Sequence, residues 1–262
     1  MFSSMNFIFD KVSSEDMGIV LVHTESGMLE SNFGINQTIV EDKIVGKDVP
    51  YFYKIDRQTY TIPITLTKVD SNGQSMKLDA DSRAEIVRWL VKDTYREFRS
   101  EDYPDQVFYI IFTEGKSYIG GAEQGYLTLT ARLNSPYSYQ EKVITYKNYS
   151  NSTSNIMYMN NLSNIIANYK PEIEFTLIGN ATDITITNMK NNKTLTFTGL
   201  SIGETIYINN QTGKIKSSLN IPRLDKCNRG WLSLDYGENK IQVTTNLGGC
   251  KISFTTQFPM SF

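Results

Sequence analysis

The sequence predicts a mainly β protein of two domains, with one amphipathic α-helix in the first. Helical periodicity is clearest in DADSRAEIVRWLVKD (79–93), whereas many short segments of the second half alternate apolar and polar residues. Near residue 140 the composition shifts toward Asn, Ser and Thr, which indicates a linker or boundary at 138–142. We therefore expect one domain over residues 1–139 and a second over residues 140–262.

The predicted helix has one apolar and one polar face. Ile86, Trp89 and Leu90 recur at the i, i+3 and i+4 positions, so we place Trp89 and Leu90 in the core. Ser82 and Glu85 have the spacing of a capping box at the start of the helix. The polar face is expected to comprise Glu85, Arg88, Lys92 and Arg96.

Two strands are predicted to follow the helix. The phrase EDYPDQVFYIIF (101–112) ends in a run that is apolar on both faces, and we assign Tyr109 in that run to the core. The phrase LTLTARLNSPYSY (127–139) starts with clean alternation. The glycines at 120, 121 and 125 lie between the two phrases and predict a hairpin loop.

The second half is predicted to be built from short strands separated by turns. Most of its apolar residues alternate with period two, and pairs such as Gly-Asn (179–180) and Asn-Asn (191–192) are turn signals. This pattern predicts an antiparallel β-sandwich or jelly roll. The Asn/Ser-rich segment 148–164 is expected to be an exposed loop. The predicted strands are 171–179, 183–188, 194–199, 204–209, 230–235, 240–246 and 250–256.

Composition excludes several classes of protein. With 40% hydrophobic and 21% charged residues, the chain is typical of a globular protein, and its formal charge of −2 argues against a nucleic-acid-binding surface. The start, MFSSMNFIFD, lacks the basic region of a secretory signal. No segment approaches the ~20 apolar residues of a membrane-spanning helix.

The residues that usually carry catalysis or metal binding have simpler explanations here. His23 is the single histidine, with no second His or Cys beside it to form a metal site. Cys227 and Cys250 are expected to be reduced thiols that pack as small apolar residues, although a disulfide is possible. Of the carboxylate pairs, Asp102 with Asp105 and Glu101 with Asp102 lie in a Pro-containing turn, and Asp79 with Asp81 lies at the helix start, where acidic groups complement the helix dipole. We therefore predict no catalytic residue, cofactor or metal.

Several phrases of the first half resemble the N-terminal domain of the distal tail proteins (Dit) of long-tailed, siphovirus-type bacteriophages. The resemblance rests on the order and spacing of the phrases across the first 139 residues. In this family Tyr137 belongs to the phrase that closes the domain, and we assign it a structural role. The matching phrases are MNFIFD (5–10), MGIV (17–20), the Trp89-Leu90 helix end, Asp102 to Tyr109, and Ser135-Pro136-Tyr137-Ser138-Tyr139.

The second half is similar to the galectin-like, or carbohydrate-binding-module-like, C-terminal domain that Dit proteins often carry. Galectins bind sugar through a His-x-Asn-x-Arg strand and a Trp-x-x-Glu phrase, but Trp231 here is followed by Leu232-Ser233-Leu234. We therefore assign Trp231 to the core or to an interface. The matching residues are Pro171, Ile173, Gly179, Ile186, Asn188, Gly213, Trp231, Leu234, Gly237, Asn239 and Ile241.

The resemblance implies a non-enzymatic structural protein of the virion tail tip, folded and assembled in the host cytoplasm. Six copies of a β-sandwich-like N-terminal domain with one helix would close into a ring, and the C-terminal sandwiches would project outward. The expected partners are the tail tube protein, the tape-measure protein, the tail-associated tip protein and a receptor-binding protein.

A ring needs a head-to-tail interface, for which Tyr51, Phe52 and Tyr53 are our candidates. These consecutive aromatics lie in VGKDVPYFYKIDRQTYTIPI (45–64), and alternation can bury only one face of them. The other explanation is that they cover the core of their own domain. Two further functions stay open, a carbohydrate-binding module for host attachment and a hydrolase, and the latter is disfavoured by the missing catalytic residues.

Overall fold

The computed structural model describes residues 4–23, 36–150 and 152–261. Two compact units are present, the first comprising Met1–Gln140 with Met260–Phe262 and the second Glu141–Pro259. The end of the chain therefore belongs with the first unit, where the Ser138 hydroxyl donates to the Met260 carbonyl at 3.2 Å. The mainly β fold expected from the sequence is confirmed.

The secondary structure is almost entirely antiparallel strand. The first part of the chain contains β1 (Phe7–Phe9), β2 (Val12–Ser13), β3 (Ile19–Leu21), β4 (Gln37–Asp42), β5 (Tyr51–Arg57), β6 (Thr61–Lys68), α1 (Ala80–Leu90), β7 (Arg96–Ser100), β8 (Gln106–Ile119), β9 (Gly125–Leu133) and β10 (Ser138–Gln140). There follow β11 (Val143–Tyr149), β12 (Ser154–Asn161), β13 (Glu172–Ile178), β14 (Ile184–Asn188), β15 (Lys193–Phe197), β16 (Thr205–Asn209), β17 (Lys214–Ser217), a short 3-10 turn (Leu224–Lys226), β18 (Gly237–Thr245), β19 (Gly249–Thr256) and β20 (Pro259–Met260).

The first unit is organised around one sheet and the helix. The sheet has the order β2-β1-β7-β8-β9-β6-β3, with β10 pairing β8 and β20 pairing β10. Strands near both edges of this sheet contribute buried side chains to the same core as α1, for example Phe7 of β1 and Leu66 of β6. The expected hairpin loop is present, because β8 and β9 pair as far as Ile119 and Gly125.

Helix α1 is held against the sheet by Trp89. The indole ring stacks on Phe7 with a centroid distance of 5.5 Å and meets Phe9 edge-on at 6.4 Å. Its Nε1 donates to the Phe9 carbonyl at 3.2 Å, so the polar edge of the buried ring is satisfied. Leu90 is 2% exposed and belongs to the same core.

The start of α1 differs from the predicted capping box. The N-cap is Asp79, whose carboxylate accepts from the Ser82 backbone N–H at 2.8 Å. Ser82 therefore lies inside the helix, where its hydroxyl accepts from the Lys68 Nζ at 2.9 Å, and Glu85 is exposed. An aspartate is as good an N-cap as a serine, and here it lies three residues earlier.

The end of α1 is also earlier than predicted. The helix stops at Leu90 because Val91 has extended backbone angles, φ −81° and ψ 118°. Lys92 and Arg96 are consequently not part of its polar face. Both cations instead approach the Asp10 carboxylate, at 3.7 Å and 3.8 Å.

The second unit is a sandwich of two antiparallel sheets. One sheet has the order β11-β19-β13-β16-β17 and the other the order β12-β18-β14-β15. Both contribute alternate side chains to one core, for example Phe175 from the first sheet and Ile186 from the second. Cys227 and Cys250 lie in this core as free thiols.

The prediction of an exposed loop over residues 148–164 was wrong. Strand β12 lies in the middle of the expected exposed loop, and it pairs along its whole length with β18. Met157, Met159 and Asn161 of this strand are buried. The alternation of buried and exposed residues in this segment is that of a strand, although its Asn/Ser-rich composition is typical of a loop.

The predicted strand 230–235 is not a strand. Among the described residues, this segment makes β-type pairing only at the isolated bridge between Leu234 and Tyr169. Its backbone is instead hydrogen-bonded by side-chain amides, with Asn210 accepting from the Leu232 N–H at 2.8 Å and Asn161 donating to the Leu234 carbonyl at 3.1 Å. Amide side chains can replace a neighbouring strand in this way.

A buried ion pair joins the residue before β16 to the segment after β17. Glu204, whose side chain is fully buried, accepts from the Arg223 Nε and Nη2, both at 2.8 Å. It also accepts from the Ser217 hydroxyl and the Ser201 N–H, at 2.5 Å and 3.0 Å. Burial alone would raise the pKa of this carboxyl, but these four donors outweigh it and lower the pKa to about 2.

Replacement of Trp89 by Ala should strongly destabilise the first unit. Truncating a buried Trp leaves a cavity and typically costs about 3–5 kcal/mol, whereas Arg88→Ala, on the exposed face of the same helix, should cost less than about 0.5 kcal/mol. Hydrogen exchange of the α1 and β1 amides across a denaturant series measures both values. Equal losses would show that the helix does not pack through Trp89.

Replacement of Glu204 by Gln should destabilise the second unit in a pH-dependent manner. Because the folded-state pKa lies below the ordinary value of 4.5, the carboxylate stabilises the fold above that pH and loses its contribution as the pH falls toward 2. The stability difference from the parent protein should therefore be about 2 kcal/mol at pH 7 and shrink below pH 4. Glu238→Gln, at an exposed carboxylate, is the control. A pH-independent difference in chemical denaturation would contradict this assignment.

Residues 141–259 should fold when expressed alone. The second unit has its own core, and both of its sheets are complete within this range. A cooperative melt and a dispersed amide NMR spectrum are expected for the fragment. A disordered fragment would show that the two units do not behave as separate domains.

Candidate assembly surface

Strands β4 and β5 form a separate two-stranded sheet in the first unit. Their register runs from Gln37 opposite Arg57 to Asp42 opposite Tyr51, with an irregularity between Val40 and Glu41. Within the described residues, neither strand joins the nine-stranded sheet. Consecutive strand residues point to opposite faces, so a hairpin exposed along nearly its whole length has no core of its own.

The candidate interface residues lie on this hairpin. Tyr51, Phe52 and Tyr53 are 46%, 60% and 61% exposed, and they do not cover the core of their own unit. Ile39 and Val49 add further exposed apolar surface to the same hairpin. An exposed apolar surface of this kind makes the hairpin a candidate for contact with another molecule.

Local polar contacts hold the aromatic side chains of the hairpin in place. The Tyr53 hydroxyl donates to the Asp42 carboxylate at 2.9 Å. The Lys47 ammonium donates to the Tyr51 hydroxyl and lies 4.7 Å from the centre of the same ring. These bonds satisfy the hydroxyl groups while the ring surfaces stay open to solvent.

An apolar cleft of about 370 Å³ lies between α1 and the far part of the β8–β9 hairpin. Its walls come from Val87 of the helix, from Val91 just after the helix end, and from Phe112 and Leu129 of the strands. Val87 and Val91 are both more than half exposed. The first unit thus presents a protruding apolar hairpin and, elsewhere, an apolar cleft.

The remaining residues that we assigned to a core or structural role are all partly exposed. Tyr109 is half-buried and meets Tyr139 edge-on at 5.6 Å, while Tyr137 is half-buried and its N–H donates to the Ser135 hydroxyl at 3.2 Å. Trp231 is partly buried against the core of the second unit. None of the three is fully enclosed.

Two of the acidic residues considered for catalysis have structural roles. Asp79 caps α1, and Asp102 accepts from the Ser4 N–H at 2.8 Å. No group of three His, Cys, Asp or Glu residues in the described part of the chain is arranged to hold a metal ion. His23 is exposed, and burial raises the pKa of the Cys250 thiol to about 11, which makes it a poor nucleophile at neutral pH.

The sequence predicts the aromatic strand but neither its partner strand β4 nor the cleft beside α1. The partner strand β4 contains QTIVED, whose alternation is too weak to stand out. The cleft beside α1 depends on where Phe112 and Leu129 approach the helix, which no local pattern encodes. In the described part of the chain, no helix is long and apolar enough to span a membrane.

Both parts of the sequence match known families of tail domains. Residues 2–135 match the phage tail protein N-terminal domain, and residues 137–256 match the phage tail C-terminal domain. The SPbeta prophage-derived uncharacterized protein YomH of Bacillus subtilis (strain 168) is 26% identical over 254 residues, which is 95% of each chain.

The fold is similar to that of solved phage proteins. The Dit protein of phage SPP1, described as a paradigm of the hub adsorption apparatus in phages that infect Gram-positive bacteria, superposes with a TM-score of 0.68 at 16% identity. That match covers 97% of this chain and 99% of the Dit chain. A chain of the phage P2 baseplate in its activated conformation with Ca gives a TM-score of 0.51 at 9% identity, covering 98% and 99%.

These matches confirm the resemblance inferred from the sequence phrases. Its two halves appear in the expected order and together account for most of the chain. The chain therefore belongs to the phage tail protein family defined by these N- and C-terminal domains, and it has the fold of the distal tail protein Dit.

Proposed function

We propose that this protein is a distal tail hub protein whose first unit forms a hexameric ring at the tip of a phage tail. The observation that carries the proposal is that the match to the Dit fold extends over almost the whole of both chains. The ring would join the tail tube and tape-measure protein to the tail-associated tip protein, and it would offer attachment points to a receptor-binding protein. Assembly would take place in the bacterial host.

Ring closure requires a heterologous interface, in which one surface of each copy contacts a different surface of the next. The β4–β5 hairpin supports this arrangement because it presents exposed aromatic side chains away from its own core. Within the described residues neither strand pairs with a third, so their outer edges could accept a strand of a neighbouring copy. Tyr51, Phe52 and Tyr53 are therefore the proposed ring contacts.

The proposed role is non-enzymatic. The family is one of phage tail proteins, and each of the catalytic candidate pairs Asp79–Asp81 and Asp102–Asp105 has a member with a structural role, Asp79 as the cap of α1 and Asp102 as acceptor from the Ser4 N–H. A hub works by binding several partners at once, which requires stable surfaces rather than a reactive group. The acid–base chemistry of a wall-degrading enzyme would have to come from another tail protein.

Substitution of the hairpin aromatics should weaken assembly without unfolding the protein. Phe52→Ala and Tyr53→Ala remove exposed rings, so the stability of the isolated chain should change by less than about 0.5 kcal/mol. At an interface, the loss of a central aromatic costs about 2 kcal/mol or more. Sedimentation velocity is measured over a dilution series. On dilution, the rings of each variant should dissociate at a higher protein concentration than those of the parent protein.

Tyr158→Ala provides the matched control for these two variants. Tyr158 lies on β12 of the second unit and is 59% exposed, close to the 61% of Tyr53. Its substitution should leave the assembly unchanged. If all three variants assemble as the parent does, the hairpin is not the ring contact.

A further inference from the structure

A polar cleft of about 450 Å³ lies in the second unit, at the turn between β16 and β17. Its other wall is the segment 228–233, which the sequence predicted in part as a strand and which the structure shows as a loop. The side chains that face this cleft combine an indole, polar groups and two cations. They are Lys170, Asn210, Gln211, Thr212, Arg229 and Trp231, and Leu224 adds one aliphatic side chain.

The loop that forms this wall is held rigidly by amide side chains. The Asn228 Oδ1 accepts from the N–H groups of Thr196 and Gly230, at 2.9 Å and 3.0 Å. Asn188 donates to the Ser233 carbonyl at 2.8 Å. With the bonds to Leu232 and Leu234 already described, amide side chains hold the residues on both sides of Trp231, and the Arg229 N–H donates to the Cys227 thiol at 3.3 Å. A preorganised loop loses little conformational entropy when a ligand binds.

Trp231 is positioned against the turn by a glycine. Gly213 has φ +71°, and a Cβ at this position would lie 3.1 Å from Cζ2 of the indole. The turn therefore combines a left-handed backbone with close approach to the ring, and both conditions favour glycine. One side of the indole packs on the protein, and its partial exposure leaves it available at the cleft.

The backbone at Arg229 has an unfavourable conformation. Its φ is +57°, a left-handed value that costs a non-glycine residue energy and is uncommon outside Asn and Asp. Gly230 follows it in a position where a Cβ would collide with the Thr194 carbonyl at 1.9 Å. Such strain persists where the surrounding structure imposes it, and here the strained residue lines the same cleft as Trp231.

The two cations of the cleft have no acidic partner. In the part of the chain that the structure describes, neither Lys170 nor Arg229 forms an ion pair, whereas Arg223 is paired with Glu204. Arg229 is exposed and Lys170 is half-buried. An unpaired guanidinium with an ammonium in the same cleft favours an anionic ligand, because Arg binds phosphate and carboxylate groups through two parallel hydrogen bonds.

We propose that this cleft binds a carbohydrate that carries a phosphate or carboxylate group. The indole of Trp231 would pack against the apolar face of the sugar ring, and Gln211 and Thr212 would bond its hydroxyl groups. Arg229 and Lys170 would bind the anionic substituent. The site differs from the galectin motif, which the sequence lacks, and it is independent of the hub proposal because it lies wholly within the second unit.

Calorimetric titration of the full-length protein tests this proposal with four probes. Glucose 6-phosphate and glucuronate carry the two alternative anions, methyl glucoside supplies a neutral ring, and inorganic phosphate supplies an anion without a ring. We expect saturable binding of at least one anionic sugar, about tenfold tighter than either methyl glucoside or inorganic phosphate. The stronger of the two anionic sugars identifies the substituent.

Variants locate the binding to the cleft. Arg229→Gln and Lys170→Gln should each weaken the binding of the anionic sugar by about tenfold, since each removes a charged hydrogen-bond donor. Trp231→Ala should abolish the binding of every sugar, and the circular dichroism of this variant checks that the sandwich is folded. Lys251→Gln removes an exposed cation on β19, away from the cleft, and should bind as the parent does.

Three results would overturn the proposal. The first is the absence of saturable binding by both anionic sugars at about a hundred times the protein concentration. The second is binding of inorganic phosphate as tight as that of the sugars, which would reveal a simple anion site. The third is unchanged affinity in Arg229→Gln and Lys170→Gln, two substitutions at the cleft surface that leave the core intact.

Discussion

The β4–β5 hairpin is the feature on which the account of assembly depends. Two antiparallel strands by themselves are at best marginally stable in water, because they bury too little apolar surface to offset the ordering of their backbone. In this chain the hairpin also exposes aromatic side chains such as Phe52 and Tyr53. In the proposed assembly a neighbouring copy would cover this aromatic surface, and repeated heterologous contacts of this kind close into a ring when the rotation between copies allows it.

The two units obtain their stability in different ways. In the first unit, α1 covers the sheet through Trp89, whose indole is both stacked and hydrogen-bonded. In the second, two sheets enclose a core without a helix over it, and the loops around them are fixed by asparagine side chains and by the Glu204–Arg223 pair. Loops held in this way resist motion, which suits a surface that must present side chains in fixed positions.

The sequence predicted what depends on periodicity and failed where side chains take the place of backbone partners. Trp89 and Leu90 could be assigned to the core because helical spacing aligns them. The segment around Leu232 alternates like a strand, yet Asn210 and other amides bond its backbone, and these partners are distant in sequence. Asp79 was not predicted as the N-cap because Ser82, three residues later, is an equally good N-cap residue by sequence. The exposure of Tyr53 depends on the path of the whole hairpin and cannot be read locally.

The central claim is that copies of this chain close into a ring through the first unit. Electron microscopy of the purified protein, with class averages computed without imposed symmetry, tests it most directly. The account predicts six-fold rings in which the β4–β5 hairpins lie at the boundaries between subunits. Single chains or open filaments at all concentrations, with no ring in images of tail tips, would contradict it.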